Sequence, residues 1–289
     1  MSISEVLGER RELSVGGSSV RYREVGDGPP LLFVHGLIVN GDLWRKVVPE
    51  LASHYRCITP DWPLGSHEVP FAPDVRLTVD YVVDLVAETA RRLELDNLTL
   101  VGNDTGGAIC QLVAVRHPDL VRRLVLTPCD AFDNFPPRMF RYLEWAARVP
   151  GAVDVLAQST RLPKSERLPF TYGWLAKRPI DKEIMRSYTR PGLADRNVRR
   201  DTRNLLRGLS PAYTEETARK LTSFEGPALL AWPREDRFFP FTHAERLAAI
   251  IPDATLDVIE DSYSFVPEDR PDALATSMSA FLERTAVPK

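Results

Sequence analysis

Residues 98–118 read LTLVGNDTGGAICQLVAVRHP. The apolar run Leu98–Val101 passes straight into Gly102-Asn103-Asp104-Thr105-Gly106-Gly107, and no proline follows until Pro118. A short apolar run closed by glycine is a buried strand, and the proline-free stretch after it is a helix. Gly102, Gly106 and Gly107 let strand and helix approach closely. The residue at the tip of the turn is therefore held in strained geometry, with its side chain aimed beyond the sheet. Turns of this Gly-x-x-x-Gly form commonly present serine; here the tip is Asp104. An aspartate at a helix start is ordinarily a cap, but the glycine context points this one away from its own helix.

Working outward, short apolar strands are expected at Val20–Val25, Leu31–His35, Arg56–Thr59 and Leu124–Thr127, with helices at Leu43–Ser53, Thr78–Leu93 and Gly107–His117 between them. The alternation resumes with strand Ala228–Trp232, helix Thr242–Ile251, strand Thr255–Ile259 and a last helix from about Asp272 to Arg284. Continuous apolar strands separated by helices predict a mostly parallel central sheet covered on both faces, an α/β fold. From Phe132 to Leu221 the strand pattern vanishes. The segment is helical and proline-interrupted, and between Asp133 and Arg219 it carries 17 Lys+Arg against 10 Asp+Glu. We read 132–221 as a helical cap inserted between two parts of a core, 1–131 and 222–289. Within it, Arg196, Arg199, Arg200, Arg203 and Arg207 share one helical face opposite Val198, Thr202, Leu205, Leu206 and Leu209. That stripe is either a solvated face or a rim for an anionic substrate or an acidic carrier protein.

The 289 residues are 44% hydrophobic, enough for a large core, and the net charge of -3 argues against a nucleic-acid partner. Cys57, Cys110 and Cys129 are odd in number and lie in apolar runs, so free buried thiols in a reducing, cytoplasmic setting are expected, with no metal site and no cofactor. No apolar run approaches 18 residues, and no membrane association is expected.

Four stretches together resemble the α/β-hydrolase fold over nearly the whole chain: LLFVHGLIVNGDLW from Leu31, CITPDWPLGSH from Cys57, VGNDTGG from Val101 and LLAWPREDRFFP from Leu229. The resemblance implies an oxyanion hole from the backbone N–H groups of Leu37 and Thr105 and an acid at Asp236. An aspartate at the elbow is similar to the Asp-nucleophile branch, the haloalkane and haloacetate dehalogenases and the epoxide hydrolases. There the carboxylate displaces a leaving group at carbon, and a histidine-activated water hydrolyses the resulting ester. Neither the tryptophan nor the arginine that such enzymes carry after the aspartate is present, because the next residue is Thr105.

The larger departure is at IEDSYSFVPEDRP. Aligning Phe265, Glu268 and Pro271 with the family's Gly-His-Phe and Glu-x-x-Pro elements puts Ser264 in the histidine position, and no histidine follows His243. Serine has no titratable group near neutral pH. His67, on a loop leaving the catalytic end of the sheet, is the favoured substitute base. His35, Asn103, Asp130, Phe132, Trp145, Phe238 and Tyr263 are candidates for substrate contact, with Phe135 and Trp174 as further aromatic candidates. Asp130 is also a second candidate acid, since two carboxylates in one desolvated pocket separate each other's titration. Three readings stay open: a hydrolase with Asp104 as nucleophile, a lyase, isomerase or cyclase of secondary metabolism using Asp104 as acid or base, and an inactive ligand-binding protein.

Overall fold

The computed structural model describes residues 2–169 and 171–286. Eight strands form one sheet: β1 Glu9–Val15, β2 Ser18–Val25, β3 Pro30–Val34, β4 Arg56–Pro60, β5 Leu98–Asp104, β6 Val121–Cys129, β7 Ala228–Trp232 and β8 Ala254–Val258. Their order is β1-β2-β4-β3-β5-β6-β7-β8. β1, β2 and β4 pair antiparallel, and every pairing from β4 through β8 is parallel. The expected mostly parallel sheet is present. β3 and β7 are buried at every position, as strands covered on both faces must be.

The helices are α1 Val48–Leu51, α2 Val79–Arg92, α3 Thr105–Arg116, α4 Arg141–Arg148, α5 Ala152–Ser159, α6 Lys182–Ala194, α7 Arg196–Arg207, α8 Pro211–Lys220, α9 Phe241–Ile250, α10 Val266–Asp269 and α11 Pro271–Arg284. α2 shows how the sequence sets one of them. Thr78 caps it, accepting from the Tyr81 N–H at 3.1 Å, and Val79, Val82, Val83, Val86 and Ala90 form the buried stripe.

Two elements differ from expectation. β1 was not foreseen because its residues ERRELSV are mostly exposed on an edge; the legible signal was the Gly16-Gly17 pair, whose positive φ values of 60° and 73° make the two-residue hairpin joining Val15 to Ser18. The helix expected over Leu43–Ser53 is a 3₁₀ turn, Gly41–Trp44, followed by the four-residue α1. Pro49 cannot continue a helix already running, so a new one begins there.

Between β6 and β7 the chain is helical. α4, α5, α6 and α7 contact one another, whereas α8 returns to pack on α3 beside the sheet. Cys57, Cys110 and Cys129 are free and buried. Burial pushes the Cys57 thiol up to about 12 and raises the other two as well. Among the described residues no helix is long and apolar enough to cross a membrane.

Candidate functional site

The parallel strands aim their carboxyl ends at one space, and β5 ends there on Asp104. Asp104 has φ 55° and ψ -132°, a conformation that costs a non-glycine residue of order 1–3 kcal/mol. The close approach that produces it depends on glycine. A Cβ at Gly106 would overlap the carbonyl oxygens of Val34 and His35, and one at Gly36 would overlap the Asp104 carboxylate itself. The backbone N–H groups of Thr105 and Leu37 both bond the Asp104 carboxylate, which is where the sequence put an oxyanion hole. Burial raises the carboxyl to about 7; the two N–H groups oppose the shift, and the negative charge of Asp236 adds to it.

Asp236 follows β7. Its Oδ1 accepts from the Phe238 and Phe239 N–H groups at 2.8 and 2.7 Å and from the Ser264 hydroxyl at 3.0 Å. Ser264, fully buried, therefore stands beside the acid at the position aligned with the family's histidine. Burial also raises Asp236 to about 7, against those three donors. Its Oδ2 is buried and has no partner among the described residues.

Asp104 and Thr105 lie at one end of an apolar cavity of about 200 Å³. Leu37 and Ile38 flank them, and Phe140, Leu143, Val153, Leu156, Leu175 and Leu206 supply much of the wall. Tyr172, also on the wall, donates its hydroxyl to the Ile38 carbonyl at 2.6 Å. Arg199 reaches the same cavity, but its charge is taken up by Asp154 at 2.5 Å and the Gly192 carbonyl at 2.8 Å. Tyr172 and Thr189 were not foreseen, and Arg199 and Thr202, expected on opposite faces of one helix, both line the cavity. They come from irregular or amphipathic stretches whose inward residues only the packing selects.

Several expected contacts are displaced. His67 turns away from Asp104, towards Asp201 at 3.4 Å and edge-on to Phe71, and does not line the cavity; the buried Asp201 on α7 holds that loop. His35 is buried, accepting at Nε2 from the Trp62 N–H and bonding the Gly36 carbonyl through Nδ1. Burial lowers it to about 4, so it is a neutral brace for the turn. Asn103 is fully buried, and its amide donates to Thr127 Oγ1 and to the carbonyls of Pro128 and Ser264. It ties β5 to the Ser264 loop. Asp130 lies behind Thr105, accepting its hydroxyl at 3.2 Å without reaching the cavity. Burial and the charge of Asp104 raise Asp130 well above the carboxylate range.

Phe132 packs edge-on against His243 beneath the Arg246 guanidinium. Phe238 packs against Phe140, with ring centroids 4.8 Å apart and the planes tilted by 41°. Trp145 faces outward, 72% exposed. Tyr263 accepts from Arg237 at 2.6 Å near the surface. Phe135 is fully buried in the core. The α7 arginines are mostly fasteners: Arg199 is bound as above, Arg200 bonds Asp201 and the Phe71 carbonyl, and Arg207 bonds the Ala147 carbonyl.

The chain belongs to the alpha/beta hydrolase fold family, whose model matches residues 29–271. It is 30% identical over 295 residues, 93% of each sequence, to a cis-3-alkyl-4-alkyloxetan-2-one decarboxylase of Xanthomonas campestris. It is 28% identical to haloalkane dehalogenase 2 of Mycobacterium bovis, covering 96% of this chain and 94% of the relative. The crystal structure of a haloalkane dehalogenase from Agrobacterium tumefaciens superposes with a TM-score of 0.82, covering 98% of this chain and 99% of the other at 22% identity. The chain is thus a hydrolase-like enzyme of this fold, resembling the haloalkane dehalogenases.

Proposed function

We propose that this α/β-hydrolase-fold enzyme uses Asp104 as a nucleophile on a small apolar electrophile, and that the substrate class is a β-lactone, opened and decarboxylated without water. The observation that carries this reading is the hydroxyl of Ser264 on Asp236. The carboxylate that forms an ester is in place, while the position aligned with the family's histidine holds a hydroxyl bonded to Asp236 and no imidazole to activate water. Hydrolysing enzymes of this branch need that second group. A β-lactone does not.

The Asp104 carboxylate attacks the sp3 ring carbon that bears the ring oxygen. That C–O bond breaks, leaving an alkyl ester on Asp104 and a free carboxylate on the neighbouring carbon. The bond to that carboxylate then breaks as CO₂ leaves. Its electron pair forms the alkene, and the C–O bond to Asp104 breaks, regenerating the aspartate. No proton and no water enter. The N–H groups of Leu37 and Thr105 fix the carboxylate and stabilise its charge when it departs. Residues 132–221 serve as the cap, closing an apolar cavity over the reacting carbon, and the resemblance to the Xanthomonas decarboxylase supports this choice of electrophile.

Asp236 favours a second reading, hydrolysis with Asp236 itself as the base, because it titrates near 7 and keeps an unpartnered oxygen. Incubation with short-chain cis-3,4-dialkyl β-lactones in ¹⁸O-water separates the two. Alkene and CO₂, with no label in the Asp104 peptide, are the expected products. A labelled hydroxy acid would overturn decarboxylation in favour of hydrolysis.

A further inference from the structure

Six of the eight exposed large hydrophobic side chains among the described residues lie between positions 139 and 168: Met139, Trp145, Val149, Val155, Leu162 and Leu168. On α4 the exposed residues are Arg141, Trp145 and Arg148, followed by Val149, spaced at helical intervals on one face, while Leu143 and Ala147 are buried on the other. α5 repeats the arrangement. Val155 points outward at 69% exposure, while Val153, Leu156 and Ala157 line the cavity. The two helices contact each other and both pack on α7, so their outward faces lie side by side. The cations along this stretch, Arg138, Arg141, Arg148, Arg161, Lys164 and Arg167, are all exposed. Its acids are fewer: Glu144, Asp154, which pairs with Arg199, and Glu166.

We propose that this face docks on an anionic phospholipid bilayer, lying in the headgroup region without crossing it. Charge selects the occupant. A protein partner or a second copy would cover apolar side chains equally well, but an exposed apolar face on a stretch that carries six exposed cations against three acids matches an interface of acyl chain and negative headgroup. Position gives the contact a use. α4 and α5 each separate this face from the cavity by one helix thickness, so an apolar substrate dissolved in the bilayer meets the enzyme beside the site. That use rests on the cavity being the active site; the docking itself does not. Sequence patterning led to the expectation of no membrane partner, because spanning helices are absent; a surface-lying face needs none.

Sedimentation with phosphatidylcholine vesicles, with and without phosphatidylglycerol, tests the proposal independently of turnover. Trp44, Trp62 and Trp232 are fully buried and Trp174 is half-buried, so Trp145, 72% exposed, is the tryptophan most open to a change in emission, and its share is the part that Trp145→Ser removes. The wild type is expected to sediment only with phosphatidylglycerol vesicles, with a blue shift of tryptophan emission, and added salt releases it. Trp145→Ser lowers the partition coefficient about tenfold, and Arg141→Glu with Arg148→Glu removes the preference for anionic vesicles; unchanged circular dichroism shows that both variants fold. Absence of binding to either vesicle, or binding that Trp145→Ser leaves unaltered, would overturn the proposal. So would a concentration-dependent dimer abolished by Trp145→Ser, which would assign the face to a second copy.

Discussion

The elbow at the end of β5 and the loop carrying Ser264 meet at one acid pair, yet one fits the pattern that the resemblance to the Asp-nucleophile branch implies and the other departs from it. The elbow combines a positive φ at Asp104, glycines that permit the close approach, and two N–H donors on the carboxylate, the features that the proposed nucleophile uses. In the loop the acid is in place and the residue it should orient is a serine. The loop is not slack. Asp269 accepts from the N–H groups of Lys177, Arg178 and Tyr263, Glu268 is held by Arg45 and Lys46, and the Phe265 N–H bonds the Leu175 carbonyl at 2.7 Å. A firmly held loop with Ser264 bonded to Asp236 is what the proposed β-lactone reading requires, since that reading needs no group in the loop to activate water.

The comparison breaks most decisively at Asp104. Asp104→Ala is expected to reduce kcat/KM at least about 10⁴-fold, with no covalent adduct by intact-protein mass spectrometry; retained turnover would remove the elbow from the chemistry. The loop is tested next. With a 1-haloalkane, for which no decarboxylative exit exists, the wild type should alkylate Asp104 once and stop, and Ser264→His should release the adduct about 10²-fold faster or more. Multiple turnovers by the wild type would show that the loop still activates water.

Titration sharpens the contrast. Asp104 sits at about 7 when folded, above its ordinary 3.8. Below that ordinary value both folded and unfolded chains hold the proton and the group is neutral in the balance. As pH rises towards 7 only the unfolded chain ionises, so stability falls and then levels off above the folded value. Asp104→Asn removes the Asp104 share of that slope and leaves the share of Asp236, which burial also raises to about 7. It should match the wild-type Tm at pH 4 and exceed it by several degrees at pH 8, an effect of about 2–4 kcal/mol; an unchanged pH profile of Tm would show that the carboxylate is not desolvated. Activity runs the other way, with kcat/KM rising through about pH 7 as Asp104 ionises. The smallest effect is expected at His67, where alanine should cost about 1 kcal/mol of stability through the Asp201 contact and leave the pH profile of kcat/KM in place. A shifted profile would return His67 to the chemistry.

Much of the fold was legible because its determinants are local. Glycine spacing around Asp104 and continuous apolar strands each act within a few residues, and they placed the sheet and the elbow; the acid after β7 came from the family resemblance of LLAWPREDRFFP. β1 escaped because an exposed edge strand lacks an apolar pattern, and α1 because a single proline divides a convincing helical run. The serine opposite Asp236 was readable from the alignment of Phe265, Glu268 and Pro271 alone.

Convergence of side chains was not readable. Asn103 meets the Ser264 carbonyl across 161 positions, and His67 meets Asp201 across 134. Such meetings depend on how separate segments pack, and no local period encodes them. By itself the sequence determined an α/β chain with a carboxylate at its elbow and no histidine after His243. Only the tertiary structure decided that His67 looks away, that Asp130 stands behind Thr105, and that Trp145 faces out from the cavity its helix encloses. The physical reason is direction: an amphipathic pattern says that a helix has two faces, and only its neighbours decide which of them meets the site.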